Sequence, residues 1–356
     1  MRLALVHDWL KDISGAERVL FQLHELYPEA PIYVLFYDKK FVRSFLPGAD
    51  IRASFLQRIP FVAHLYPALS WLMPMAIESF DISGYDRVLS SSAIFSKGLV
   101  LRPGTKHICY CYSPTRFLWD RKDDYSRFGD YPWLKRIFQH VLRLWDYNAA
   151  SRVDQFVAIS KTVQARIKKY YRRDSMVIYP PMTSFDGARQ DKSVMSKDFY
   201  LIVSRLYEHK KVEIAVQAFN KLGYPLFIIG EGPEKKRLEK MASKNIIFLG
   251  RQDDEVVAEY YRSATAFIMP QEEDFGLTPL EAMSFGTPVI ALRKGGATET
   301  VIEGMTGEFF DDPIPEGLAD AVRRFRDGHY DPEKIKARAK EFSSQNFKKE
   351  IAAALQ

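Results

Sequence analysis

A chain of 356 residues is longer than one hydrophobic core fills, ~250 to 300 residues, so two domains are expected. With 47% apolar and 27% charged residues, the composition is that of a globular protein and excludes a disordered or fibrous chain. The net charge, 51 − 45 = +6, is too small to argue for a nucleic-acid partner, but it suits an acidic substrate or an anionic membrane surface.

The chain opens with a short apolar strand at residues 3–6, ending in His7-Asp8-Trp9. It lacks the long apolar core of a secretory signal. A loop with the small pair Ser14-Gly15 follows, then a helix over residues 17–26. Such a pair lets backbone approach a phosphate or a sugar. Strands are expected at residues 32–37, 87–90, 108–112, 155–159 and 177–179. Strands alternating with helices point to a mostly parallel, doubly wound sheet. The only cysteines, Cys109 and Cys111, fall on one face of a strand. They read as small buried hydrophobes rather than a disulfide, in keeping with a reducing cytoplasm.

Three segments of this half stand out. Residues 55–80 are rich in Phe, Leu, Met, Trp and Tyr but broken by prolines. They read either as an interior helix pair or as a lip facing a membrane or an acceptor. Residues 131–147 repeat Trp133, Ile137, Val141 and Leu142 at helical spacing, with Arg136 and Arg143 elsewhere on the surface. A helix from Ser160 carries Lys161, Arg166, Lys168, Lys169, Arg172 and Arg173, which suits a solvated face or anionic lipid. No run of ~20 apolar residues exists to cross a bilayer.

Pro180-Pro181 and the polar stretch 183–197 read as a linker. The rhythm then restarts. Strands are expected at residues 199–204, 225–229, 246–249, 265–269 and 289–292, and helices at 212–220, 234–242, 254–263 and 318–326. The fold class is α/β: two doubly wound, Rossmann-like domains, residues 1–181 and 198–334, facing a cleft. A single tail helix over 335–356 is expected to cross back to the first domain.

Residues 271–286 read QEEDFGLTPLEAMSFG. They follow a buried strand and re-enter regular structure at Thr278-Pro279-Leu280-Glu281. Thr278 suits an N-cap, Pro279 the first helical position, and Glu281 the far side of a capping box, with Gly286 as the stop. A helix start at a strand's carboxyl end favours an anion. An arbitrary pair of glutamates eight apart is more often a cap and a solvated charge. Arg205 and Lys210 lie just past the first strand of this half, where a fork and a point charge match a diphosphate. Gly230-Glu231-Gly232 is read as a tight turn, and Arg251 sits at another strand end.

Extended through Thr287-Pro288-Val289-Ile290-Ala291 and Gly295-Gly296 to Glu299, this run resembles the retaining GT-B glycosyltransferases of family 4, the glycogen-synthase-like group. Residues 109–120, CYCYSPTRFLWD, are similar to the mannosyltransferase-like branch, with Tyr112 where histidine is common. The resemblance implies a nucleotide-sugar donor, GDP-mannose favoured, and a glycan or lipid-linked acceptor at the cytoplasmic membrane face. Glu273 would face the sugar and Glu281 the ribose. Arg205, Lys210 and the Gly15 loop would hold the diphosphate. Phe275, Gly276, Leu277 and Thr278 would form the donor loop, and Arg251 would border the base. Tyr112 would bond or stack on sugar or acceptor. No D-x-D pair occurs, so no metal is expected, and no cofactor beyond the nucleotide-sugar as co-substrate. Two alternatives stay open: another GT-B enzyme such as a sugar-nucleotide epimerase, or a non-catalytic sugar-nucleotide-binding subunit.

Overall fold

A computed structural model describes residues 2–120, 132–182, 198–325 and 330–356. The expected linker at 183–197 and the expected helix ends at 131 and 326 lie outside the described residues. The chain divides into two compact units: Met1–Pro180 with Phe347–Gln356, and Pro181–Asn346.

The strands of the first unit are β1 (Leu3–His7), β2 (Ile32–Val34), β3 (Ile51–Ala53), β4 (Arg87–Ser92), β5 (Lys106–Cys111), β6 (Gln155–Ala158) and β7 (Ser175–Val177). They form one parallel sheet in the order β3-β2-β1-β4-β5-β6-β7. β1 is buried along its whole length and β4 and β5 nearly so, because helices cover both faces of a parallel sheet. The strand order reverses between β1 and β4. Open α/β sheets bind ligands beyond the carboxyl ends of their strands at such a switch point. Sequence periodicity missed β3, which is three residues long and has little apolar signal. Cys109 and Cys111 are free and buried in β5.

Residues 55–80 divide the two readings between them. Their prolines break them into a turn at Phe55–Arg58 and short helices at Val62–Leu65 and Met73–Glu78. Leu56, Val62, Met73, Ala76 and Ile77 enter the core with Val6, Phe36 and Val88. Each fully buried side chain of this size contributes ~1.5 to 3 kcal/mol. Phe61, Leu65, Trp71 and Met75 face solvent.

The long helix Pro132–Ser151 is fixed by a buried ion pair, Lys97 to Asp146 at 2.6 Å. Asp146 also accepts from Thr115 Oγ1 at 2.7 Å, Trp119 Nε1 at 2.7 Å and Tyr171 OH at 2.8 Å. Those bonds satisfy the lone pairs that burial would otherwise leave costly. The helix's outer stripe, Trp133, Ile137, Val141 and Leu144, is exposed.

In the basic helix Lys161–Tyr171 and the turn after it, several cations have structural duties. Arg166 lies 3.4 Å from Asp120, and Lys168 lies 2.6 Å from Asp174. Arg173 donates to the carbonyls of Ala150, Ser151, Val153 and Asp154, closing the end of the long helix.

The second unit repeats the plan. Its strands are β8 (Tyr200–Val203), β9 (Leu226–Ile229), β10 (Ile246–Gly250), β11 (Ala266–Met269), β12 (Val289–Leu292) and β13 (Gly307–Phe310). Their order, β10-β9-β8-β11-β12-β13, places a switch point between β8 and β11. β13 also escaped the sequence reading. It begins at Gly307, where a Cβ would lie 1.9 Å from Val289 O, so close strand approach requires glycine there.

The tail is not one helix. Pro332–Lys340 and Ser344–Ala354 are separate helices. The Ser343 hydroxyl accepts the Asn346 N–H and starts the second one. Arg338 ties the first to the carbonyls of Glu299 and Thr300. Phe347 packs edge-on against Tyr110 at 5.6 Å, and Lys348 pairs with Glu25 at 2.7 Å, both within the first unit.

Candidate active site

The second unit gathers its charged side chains at the β8/β11 switch point. The chain leaves β8 through Ser204-Arg205 and a turn at Glu208–Lys210. It leaves β11 through Pro270 to Gln271 and Glu273. Lys210 Nζ meets the Glu273 carboxylate in an ion pair, with the two side chains 15% and 22% exposed. Gln271 Nε2 donates to Glu273 Oε1 at 3.1 Å, while the buried Gln271 Oε1 has no partner among the described residues. Arg205 is exposed, its guanidinium 5.6 Å from the centre of the Tyr207 ring. Arg251 is exposed just past β10.

The Glu273 loop is held from behind by backbone. Gly296 N–H donates to Glu273 O at 2.9 Å. A Cβ on Gly295 would lie 2.2 Å from Glu273 O, and one on Gly296 would lie 2.2 Å from Phe275 Cα. Gly295-Gly296 is therefore the floor on which the Glu273 loop rests. Phe275 is buried and packs on Phe342 at 5.7 Å. The Gly230-Glu231-Gly232 turn does the same for Arg205. A Cβ on Gly230 would meet Ser204 O at 1.9 Å, and one on Gly232 would meet Leu206 O at 2.2 Å.

The helix start differs from the sequence expectation. The helix is Leu277–Ser284, its N-cap is Gly276 at φ +87°, and no side chain caps it. Thr278 is inside the helix, and Glu281 is too far along it to complete a capping box. The reason is local: Gly276, at a positive φ that favours glycine, starts the helix two residues before Thr278 could cap it. Glu281 is buried instead and accepts from Tyr261 OH at 3.0 Å. A first turn without a capping side chain, at the positive end of the helix dipole, favours an anion.

In the first unit, Ser14 caps the helix Gly15–Leu26 in a full capping box with Glu17. The S-x-x-E spacing at 14–17 thus forms a capping box, whereas the equivalent T-x-x-E spacing at 278–281 does not. His7, at the end of β1, is buried. Its Nδ1 lies 3.1 Å from both Ser91 O and Ser91 Oγ, and its Nε2 lies 3.4 Å from Glu17 Oε1. Tyr112 OH lies 2.8 Å from Ser91 Oγ and donates to Ala16 O at 3.0 Å. Burial pushes this phenol well above its ordinary value, with the nearby Glu17 and Asp8 charges adding to the rise. Asp8 accepts the backbone N–H groups of Ala93, Ile94, Phe95 and Ser96 at 2.7 to 2.9 Å, fixing the loop after β4. His7, Glu17 and Ser91 were not singled out as functional from the sequence. Their only signals were a histidine at a strand end and the capping-box spacing.

Among the described residues, no group of three or more His, Cys, Asp or Glu is arranged to hold a metal, and no helix is long and apolar enough to cross a membrane.

The His7–Glu17 pair makes stability depend on pH. Burial pulls the imidazole down, but the Glu17 bond and charge, with Asp8 and Ser91, outweigh it and raise His7 above 6.5. Burial pushes Glu17 up, but His7 and Ser14 outweigh it and hold it below 4.5. The His7 share is complete below 6.5 and is lost as pH rises through the raised value. The Glu17 share is complete above 4.5 and is lost as pH falls through the lowered value. Glu17→Gln should therefore lower the urea midpoint most between pH 4.5 and 6.5, and less on either side. A penalty that is flat from pH 3 to 9 (~3 and ~9 bracket both groups) would show that the pair is not ionised.

Residues 186–342 match the family described as Glycosyl transferases group 1. An uncharacterized glycosyltransferase of Methanocaldococcus jannaschii is 26% identical over 204 residues, 55% of this chain and 56% of that protein. The alpha-1,3/1,6-mannosyltransferase ALG2 of Homo sapiens is 26% identical over 290 residues, 72% of this chain and 67% of that protein. The chain thus spans about half to two thirds of the length of these relatives. HepE of Anabaena, solved in complex with UDP, superposes with a TM-score of 0.72 at 18% identity, covering 100% of this chain and 99% of HepE. The fold is GT-B, and within it residues 186–342 match the group 1 glycosyl transferase family.

Proposed function

We propose that the protein is a retaining, family 4 glycosyltransferase that moves mannose from GDP-mannose to a glycan or lipid-linked acceptor without a metal. The observation that carries this reading is the Lys210–Glu273 pair at the β8/β11 switch point, beside a helix start with no capping side chain. An anion and a sugar each find a partner there. As the bond from the anomeric carbon to the diphosphate breaks, charge builds on the leaving oxygen. Arg205, Lys210 and the amides around Gly276, Leu277 and Thr278 stabilise that charge. Glu273 holds the sugar hydroxyls and the developing cationic centre. Glu281, oriented by Tyr261, takes the ribose, and Arg251 borders the base. The acceptor oxygen bonds to the same face of the sugar, and its proton passes to the leaving diphosphate oxygen. In the first unit, the Gly15 loop is read by family resemblance as a phosphate-binding loop. The mannose choice rests on the likeness to ALG2.

Arg205→Ala and Lys210→Ala should each weaken GDP binding by roughly 1.5 to 3 kcal/mol, the cost of losing a charge-assisted bond. Transfer from GDP-mannose to lipid-linked glycan should survive excess EDTA. Unchanged GDP affinity in both variants would remove the clamp, and a loss in EDTA restored by Mg²⁺ would remove the metal-free site. Conversion of the donor with no acceptor present would favour an epimerase, and binding without turnover would favour a non-catalytic subunit.

The setting we propose is the inner face of the cell membrane. Two exposed apolar groups of the first unit, Phe61, Leu65, Trp71 and Met75, and Trp133, Ile137, Val141 and Leu144, suit the headgroup boundary. Arg136 and Arg172 supply exposed cations for anionic lipid. Flotation with anionic liposomes should carry the protein and weaken at high salt. Equal recovery with neutral liposomes, or none with either, contradicts this setting.

A further inference from the structure

The polar groups around Ser14-Gly15-Ala16 form a closed ring. Tyr112 OH bonds to Ala16 O and to Ser91 Oγ. Ser91 Oγ bonds to His7 Nδ1, His7 Nε2 to Glu17 Oε1, and Glu17 Oε2 to the Ser14 N–H. The Ser14-Gly15-Ala16 backbone closes the circuit. His7, Glu17 and Ser91 are all buried, so every proton in the ring must have an acceptor.

Counting protons fixes the direction of the ring. The Ala16 carbonyl only accepts, so the single Tyr112 proton goes to it. Tyr112 oxygen must then accept from Ser91, which uses the single serine proton. Ser91 Oγ in turn accepts from His7 Nδ1, and Ser91 O, at 3.1 Å from the same nitrogen, also only accepts. His7 Nδ1 therefore carries a proton. Nε2 faces the Glu17 carboxyl, so it either donates to a carboxylate or accepts from a protonated Glu17. The raised His7 and lowered Glu17 select the charged pair, an imidazolium against the Glu17 carboxylate.

We infer that Tyr112 is a positioning residue whose hydroxyl locks the backbone of Ser14-Gly15-Ala16 and orders the His7–Glu17 pair behind it. Its importance to transfer rests on the proposed role of the Gly15 loop. The hydroxyl is suited to this place because one atom both donates and accepts. A single imidazole nitrogen does one or the other, so histidine at 112 keeps at most one of the two bonds, and phenylalanine keeps neither.

The test compares wild type, Tyr112→Phe, Tyr112→His and Ser91→Ala, all without donor. Amide hydrogen exchange at residues 14–18 should rise about tenfold or more in each variant, an opening that local fluctuation allows without global unfolding. Nitrogen NMR of His7 should show both ring nitrogens protonated at neutral pH in wild type, with that signature lost at lower pH values in Tyr112→Phe and Ser91→Ala. Ser91→Ala cuts the ring from the other side and serves if a Tyr112 variant fails to fold. Turnover of GDP-mannose, measured in parallel, should fall at least about tenfold in kcat/KM, or ~1.4 kcal/mol. Full protection of residues 14–18 in Tyr112→His, or an unchanged His7 signature in Tyr112→Phe, would overturn the inference. Exchange and NMR need no donor. A wild type inert toward GDP-mannose would therefore sink the proposed reaction while leaving the positioning role to be judged on its own readouts.

Discussion

The site depends on one constraint, the contact of the Glu273 loop with Gly295-Gly296. Any side chain at either glycine would occupy the space of the Glu273 and Phe275 backbone. The contact fixes the loop by its main chain, leaving the Glu273 carboxylate to be aimed by its neighbours. Lys210 and Gln271 do the aiming. The ion pair is neither fully buried nor fully exposed. Each charge is thus partly desolvated, and each is stabilised mainly by the other. On the proposed reading, a donor diphosphate would offer Lys210 a second anion and its sugar would offer Glu273 hydroxyl donors. On the same reading, the ion pair would preorganise both groups for a donor and so lower the cost of binding.

The two units solve the same placement problem with different chemistry. Their sheets have the same strand order, so each offers one switch point for polar residues. In the second unit the groups there are largely solvent-accessible cations and a glutamate. In the first they are turned inward: Asp8 absorbs four backbone amides, and His7, Glu17, Ser91 and Tyr112 bond to one another. The first unit thus commits its polar groups to holding loops in shape, and the second leaves Arg205 and a helix start open to a ligand.

Much of this was legible in the sequence. Apolar runs placed most of the parallel strands, and strand ends followed by cations or glutamates placed the second unit's site. What escaped had physical reasons. A capping box is a spacing of two residue types, and it occurs at both 14–17 and 278–281. The spacing does not say which is used: at Gly276, two residues before Thr278, a positive-φ glycine starts the helix first. The tail breaks between Lys340 and Ser344, and the Ser343 hydroxyl accepts the Asn346 N–H at the start of the second helix, a contact that helical periodicity does not record. Residues 55–80 defied one label because their prolines make short pieces, each with an inner and an outer face. The ring around Gly15 joins residues up to 105 positions apart, 112 − 7, through single hydrogen bonds, and no local pattern records such contacts.

The claim that Lys210 is shared between Glu273 and the donor diphosphate has a direct test: calorimetric titration of GDP into wild type and Glu273→Gln. Glutamine keeps the shape and removes the internal counter-anion. GDP should bind the variant several-fold more tightly, while transfer of mannose from GDP-mannose collapses. GDP binding that is unchanged or weaker in Glu273→Gln would contradict the account, because Lys210 would then gain nothing from losing its partner.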